Sequence, residues 1–242
     1  MSELITNKIT PGTGSSDTVT LGDSGDTFTI PAGVTLAGSG ASLTALPAAN
    51  LTGTLPAIDG SNLTNLPTGW VLLSSTTVSD AATVDQTGIV RATYPTVAVI
   101  ISDLLPASAG QALYVRFGDS SGVDTGASDY THAIQYGDAS GASNTFTQAN
   151  DTTNGFINTD TGGVGGAAGE GVSSILYVST GHNGGRARMQ GTSVCTNGSG
   201  NMVRNVSFGQ RNDVIVLDRI RVYFNSGNIA SGNVAFYGLA IS

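Results

Sequence analysis

The sequence predicts an all-β protein, a repetitive intertwined β stalk followed by a jelly-roll-like β-sandwich head. Three observations carry that prediction. Glycine is abundant at 34 of 242 residues, only 11% of residues are charged, and Lys8 is the single lysine. Gly and β-branched residues are weak helix formers, and almost no Glu or Lys offsets them, so short strands joined by tight turns suit this composition. Second, short segments alternate polar and apolar residues, which is strand periodicity. Third, a proline-punctuated repeat fills residues 42–67 and ends just before Trp70, the single tryptophan. The chain therefore divides into two regimes.

Residues 1–17 are polar and Gly-rich and read as an N-terminal anchor. Residues 18–69 read as the stalk. Thr18 to Gly22, Thr27 to Ile30 and Val34 to Leu36 each alternate and are separated by Gly-Asp or Pro-Ala-Gly turns, which suggests stacked short strands. Leu43, Leu51 and Leu63 then hold equivalent places, as do Leu46, Leu55 and Leu66, each followed by proline. Proline breaks a helix interior and pushes the preceding residue toward extended geometry, so a helical stalk is excluded. The leucines are too few for one chain to bury alone. Identical chains wound about one axis would bury them against each other, and three chains are the simplest closed arrangement.

Residues 70–242 show no repeat and read as the head. Strands are expected at 70–76, 96–102, 111–118, 129–136, 172–180, 186–194, 203–209, 214–225 and 233–241. Many strands with Gly, Asn and Asp turns indicate a sandwich or jelly roll. Residues 137–171 are poor in apolar side chains and read as long surface loops, with the Gly-rich run 162–171 as a flexible one.

The net charge of −8 argues against nucleic acid, which needs clustered Lys and Arg. No base occurs between Arg116 and Arg186, a stretch that holds Asp119, Asp124, Asp129, Asp138, Asp151, Asp160 and Glu170. Six bases follow, from Arg186 to Arg221. The simpler reading is solvated loops followed by paired strands; an acidic face beside a basic face or subunit contact is the alternative. The lone Cys195 allows no intrachain disulfide and no zinc cluster. No apolar leader and no run approaching the roughly 20 residues of a span suggest export by a signal peptide or membrane insertion.

Gly22-Asp-Ser-Gly25 and Gly118-Asp-Ser-Ser-Gly122 look like serine-hydrolase motifs. Both histidines, His132 and His182, follow both serines, and no strand–turn–helix context surrounds the second motif, so both read as tight turns. Glycoside cleavage needs two positioned carboxylates, and Glu3 and Glu170 are the only glutamates, leaving Asp pairs among Asp119, Asp124, Asp129 and Asp138. Those aspartates could also bind Ca²⁺, although no recognised calcium motif is present. No enzyme activity, cofactor or metal is expected. For recognition, Tyr130, His132, Ile134 and Tyr136 share one strand face where tyrosines could stack on sugars; the competing reading is that they line the core. His182 and Arg186, with an Asn/Gly loop between them, are the second candidate.

The repeat at 42–67 resembles the Asn-Leu-Thr…Leu-Pro repeats of bacteriophage tail fibres and related virion fibres. The opening Ile5-Thr-Asn-Lys-Ile-Thr to Leu36 resembles those of marine and cyanobacterial phage structural proteins. The ending from Ile220 to Ala240 resembles the last two strands of a β-sandwich head found on such fibres, where Phe224 to Gly232 would form a hairpin and Tyr237-Gly238 would close the domain. The resemblance implies a homotrimer in the virion, joined to other virion proteins through its N-terminus, with a head that meets a host-surface glycan or protein. A tail fibre is the first expectation and a capsid head fibre or decoration protein the second. A polysaccharide-binding lectin and a depolymerase are the alternatives from other classes.

Overall fold

A computed structural model describes residues 69–139, 144–157 and 162–240. The anchor and the repeats, residues 1–68, lie outside the described residues. Thirteen strands follow in order: β1 Trp70–Ala81, β2 Val84–Gln86, β3 Thr96–Pro106, β4 Leu113–Asp119, β5 Gly122–Val123, β6 Tyr130–Asp138, β7 Asn144–Thr152, β8 Gly155–Phe156, β9 Gly171–Ser179, β10 Arg188–Thr196, β11 Met202–Arg211, β12 Arg219–Phe224 and β13 Ile229–Leu239. Among the described residues the only helix is a single 3-10 turn at His182–Gly184.

The strands form two antiparallel sheets. An eight-stranded sheet runs β1-β13-β3-β9-β10-β11-β6-β7, and a smaller one runs β2-β12-β4-β5, with β8 also on β4. The chain alternates between sheets from β1 to β4 and again from β12 to β13. First and last strands pair, as do the second and the one before last. That nested wrapping is the jelly-roll pattern, here extended by β10, β11, β6 and β7 along one side of the larger sheet.

Period-two alternation explains which faces are inside. Val97, Val99 and Ile101 of β3, Leu176 and Val178 of β9, and Val234 and Phe236 of β13 face Leu113, Val115 and Phe117 of β4 and Ile220, Val222 and Phe224 of β12 in one core. Cys195 is buried there and takes part in no disulfide.

The structure revises four expectations. The segment 214–225 is a strand only from Arg219; before it Val214 and Val216 project into solvent while Leu217 packs into the core. An apolar run with alternate residues buried imitates a strand without a ladder partner. Second, β12 and β13 are not a hairpin, because they lie in different sheets. The intervening Asn225 to Asn228 turns the corner: Asn225 Oδ1 accepts from the Ala112 amide at 2.8 Å, and Gly227 takes φ 72°.

Third, residues 137–171 are not all surface loop. They hold β7 and β8, and Ile157 and Val164 are fully buried. β7 reads Asn-Thr-Phe-Thr-Gln-Ala-Asn-Asp-Thr because it is an edge strand and owes nothing to the core. Fourth, the described part of the Gly-rich run is pinned. The Val164 carbonyl accepts from Gly110 at 2.9 Å, Val164 donates to Gln111 at 2.8 Å, and Gly165 donates to Thr196 at 2.8 Å. A Cβ at Gly163, whose φ is +57°, would strike the Gly110 backbone. These glycines permit close backbone approach as well as turning.

Candidate functional site

The β6 residues point inward. Tyr130, His132 and Tyr136 are 1%, 3% and 8% exposed. The Tyr130 hydroxyl accepts from the Phe117 amide at 2.7 Å and donates to the Phe117 carbonyl at 3.0 Å, joining β6 of one sheet to β4 of the other. Burial raises its phenol well above the usual range. Burial likewise drives the His132 imidazole down to about 4, so it is neutral. Tyr130 and Tyr136 belong to the core, and His132, though buried, also borders the groove described below; none of the three presents a sugar-stacking face to solvent, which corrects the expectation that placed them in recognition. His182 is half-buried in the 3-10 turn and Arg186 is exposed, both in the loop from β9 to β10. The five predicted residues thus separate into a buried trio and a loop pair.

The turn motif behaves as a turn. Gly118 to Gly122 links β4 to β5, and Asp119 Oδ1 accepts from the Ser121 amide at 2.8 Å and from its hydroxyl at 2.5 Å. Those bonds hold the Asp119 carboxyl below its ordinary value. Asp124 and Asp129, candidates for a carboxylate pair or Ca²⁺, are both engaged by Arg211. Arg219 pairs with Asp218 and Arg221 with Asp85. Of these pairs, those of Arg211 join the acidic stretch to the basic one, while Arg219 and Arg221 take aspartates from outside it.

A different site emerges on the outer face of the eight-stranded sheet. A groove of about 640 Å³ lies there, crossing β9, β10, β11, β6 and β7. Register organises it into two cross-strand rows. In the first, Tyr177, Gln190, Phe208, Ala133 and Gln148 stand side by side on successive strands. In the second, Ser179, Arg188, Gln210 and Thr131 do the same. Alternation produces this arrangement: Leu176, Val178 and Met189 turn to the core, so Tyr177, Arg188 and Gln190 turn out.

Tyr177 and Phe208 are 42% and 49% exposed, one strand apart on either side of Gln190. Two strand spacings separate their backbones by roughly 10 Å. Ala133, beside Phe208, is small and leaves depth there. The Trp70 ring, at the start of β1, lies 6.0 Å from that of Tyr177 and extends the aromatic surface.

Among the described groove-lining residues none is Asp or Glu, the groups that two-carboxylate glycoside cleavage uses. The arrangement offers flat aromatic faces, amide side chains and one guanidinium, a set suited to holding a polar ring-shaped ligand. Apart from His132, sequence reasoning missed the groove's residues. The readable signal was in 172–180, where Ile175 and Tyr177 put apolar surface on the face opposite Val172, Leu176 and Val178. No protein-family model matches the chain, and no curated protein matches it in sequence.

Proposed function

We propose that this chain is a trimeric bacteriophage virion fibre, first a tail fibre, whose β-sandwich head attaches to a host-surface glycan through the outer groove. The observation that carries the reading is the pair Tyr177 and Phe208, exposed on one row of an otherwise amide-rich groove. Aromatic faces bury sugar C–H surfaces while neighbouring amides satisfy hydroxyls. The fibre part rests on the 42–67 repeats and on the terminal motif. Weak sites on three heads would add through avidity.

The test is binding of the full chain to host cells and to a panel of purified surface polysaccharides. Tyr177→Ala with Phe208→Ala is expected to weaken binding at least tenfold while the head stays folded, with at most a small drop in unfolding midpoint from loss of the Trp70–Tyr177 ring contact. Undiminished host binding by that variant would move recognition off the groove.

A further inference from the structure

We propose that the groove selects an acidic saccharide, whose carboxylate or sulfate is held by Arg188. This rests on the glycan reading above and adds the charge of the ligand.

Arg188 is exposed at the start of β10, and its guanidinium makes no hydrogen bond or ion pair with another described residue. That sets it apart from its fellows on the strands. Arg211, Arg219 and Arg221 are paired with aspartates. Arg116 donates to the Thr153 carbonyl at 3.0 Å and lies over the Tyr223 ring at 4.8 Å. The guanidinium groups of Arg116, Arg211, Arg219 and Arg221 are thus held by the chain's own acids and carbonyls.

The surroundings of Arg188 invert the charge of the whole. Acidic residues outnumber Lys and Arg by 17 to 9, yet none is among the described residues that line the groove. A cation kept clear of neighbouring carboxylates is open to an external anion. Its row supplies further donors: Ser179 on one side and Gln210 on the other, neither side chain hydrogen-bonded to another described residue. The next row along the strands, roughly 7 Å away, holds Tyr177 and Phe208. A pyranose stacked on that row would direct an acidic substituent toward the Arg188 row. The planar fork of arginine meets a carboxylate or sulfate with two parallel N–H···O bonds, which a neutral hydroxymethyl group cannot accept as an ion. Arg186, two residues earlier and also exposed, adds positive potential at the same end.

The experiment uses the full chain and matched probes that differ in charge. Oligogalacturonate is compared with its methyl ester, and sulfated with desulfated heparin oligosaccharides, beside neutral malto-, cello- and manno-oligosaccharides. Oligogalacturonate is expected to bind ten times or more tighter than its neutral methyl ester at low salt, or sulfated heparin oligosaccharide as much tighter than its desulfated form, which keeps only carboxylates. Added NaCl should shrink that preference, Arg188→Gln should remove it, and Arg188→Lys should restore part of it. If neutral saccharides bind as well as acidic ones and Arg188→Gln changes nothing, the charge proposal fails while the glycan reading stands. If no saccharide of either kind is retained, both fail. A change in particle mass in place of saccharide binding on Arg188→Gln would overturn the proposal by making the groove a contact between copies of the chain.

Discussion

Arg211 donates from Nε to Asp124 Oδ2 at 2.8 Å, with the two side chains only 8% and 19% exposed. The same guanidinium reaches Asp129 Oδ1 at 3.1 Å and the Asp129 carbonyl at 3.2 Å, and it lies 5.9 Å from the Tyr130 ring centroid. It therefore ties the end of β11 to the loop that leads into β6. Removing one partner leaves buried charges unmatched. Arg211→Met is expected to cost about 3–5 kcal/mol in urea unfolding. Arg221→Met is the control, because the Arg221–Asp85 pair is 31% exposed on both sides and should cost under about 1 kcal/mol.

His132 makes the head acid-sensitive. Burial lowers its folded pKa to about 4, whereas the unfolded value is about 6.5. Between those values the unfolded chain binds the extra proton, so stability rises with pH. The contribution is complete above about pH 6.5 and is lost as pH falls through 4, to a total on the order of 3 kcal/mol. The difference in unfolding free energy between wild type and His132→Gln should shift across that window. A constant difference from pH 7 to pH 4 would refute the prediction.

Gly238 gives the Tyr-Gly ending a physical reason. A Cβ there would enter the Tyr94 ring, which packs partly buried against the core. Gly238→Ala must displace that ring and should destabilise by about 1–3 kcal/mol, read as a lower denaturation midpoint with an unchanged slope.

Oligomeric state tests the stalk. Light scattering of the full chain should give three times the chain mass, and removing the 42–67 repeats should lower it. A monodisperse monomer would remove the reason for repeats that one chain cannot bury alone.

Much of the fold was legible because β periodicity is local. Strands β3, β4, β6, β9 and β11 each carry an inward apolar set that announces itself, and their predicted positions lie within a few residues of those observed. What escaped was set by partners distant in sequence. β7 has no apolar face to read because it is a sheet edge. β12 and β13 look like a hairpin because nothing local records that Asn225 is held by Ala112 across the sandwich corner. The candidate site was less legible still. Tyr130 and His132 carry the side chains of a sugar site, but their parity on β6 sends them inward, and alternation alone does not say which parity faces the core. Tyr177, Arg188, Gln190 and Phe208 come together only when β9, β10 and β11 are set in register.

Trp70 stands opposite Leu239, and the same row continues through Thr96 and Ser179 to Arg188. Gly69, the first described residue, thus lies at the groove's end of the sheet, next to an edge strand. A tether pulling at Gly69 against a ligand gripped at Arg188 would load the sheet across its strands, along the direction of its hydrogen bonds. Bonds pulled in that direction yield one after another, starting with the β1–β13 ladder at Trp70. The grip of a head under tension would then be set by how firmly the first few residues of β1 resist peeling, with the Trp70 ring against Tyr177 as a side-chain latch on that corner.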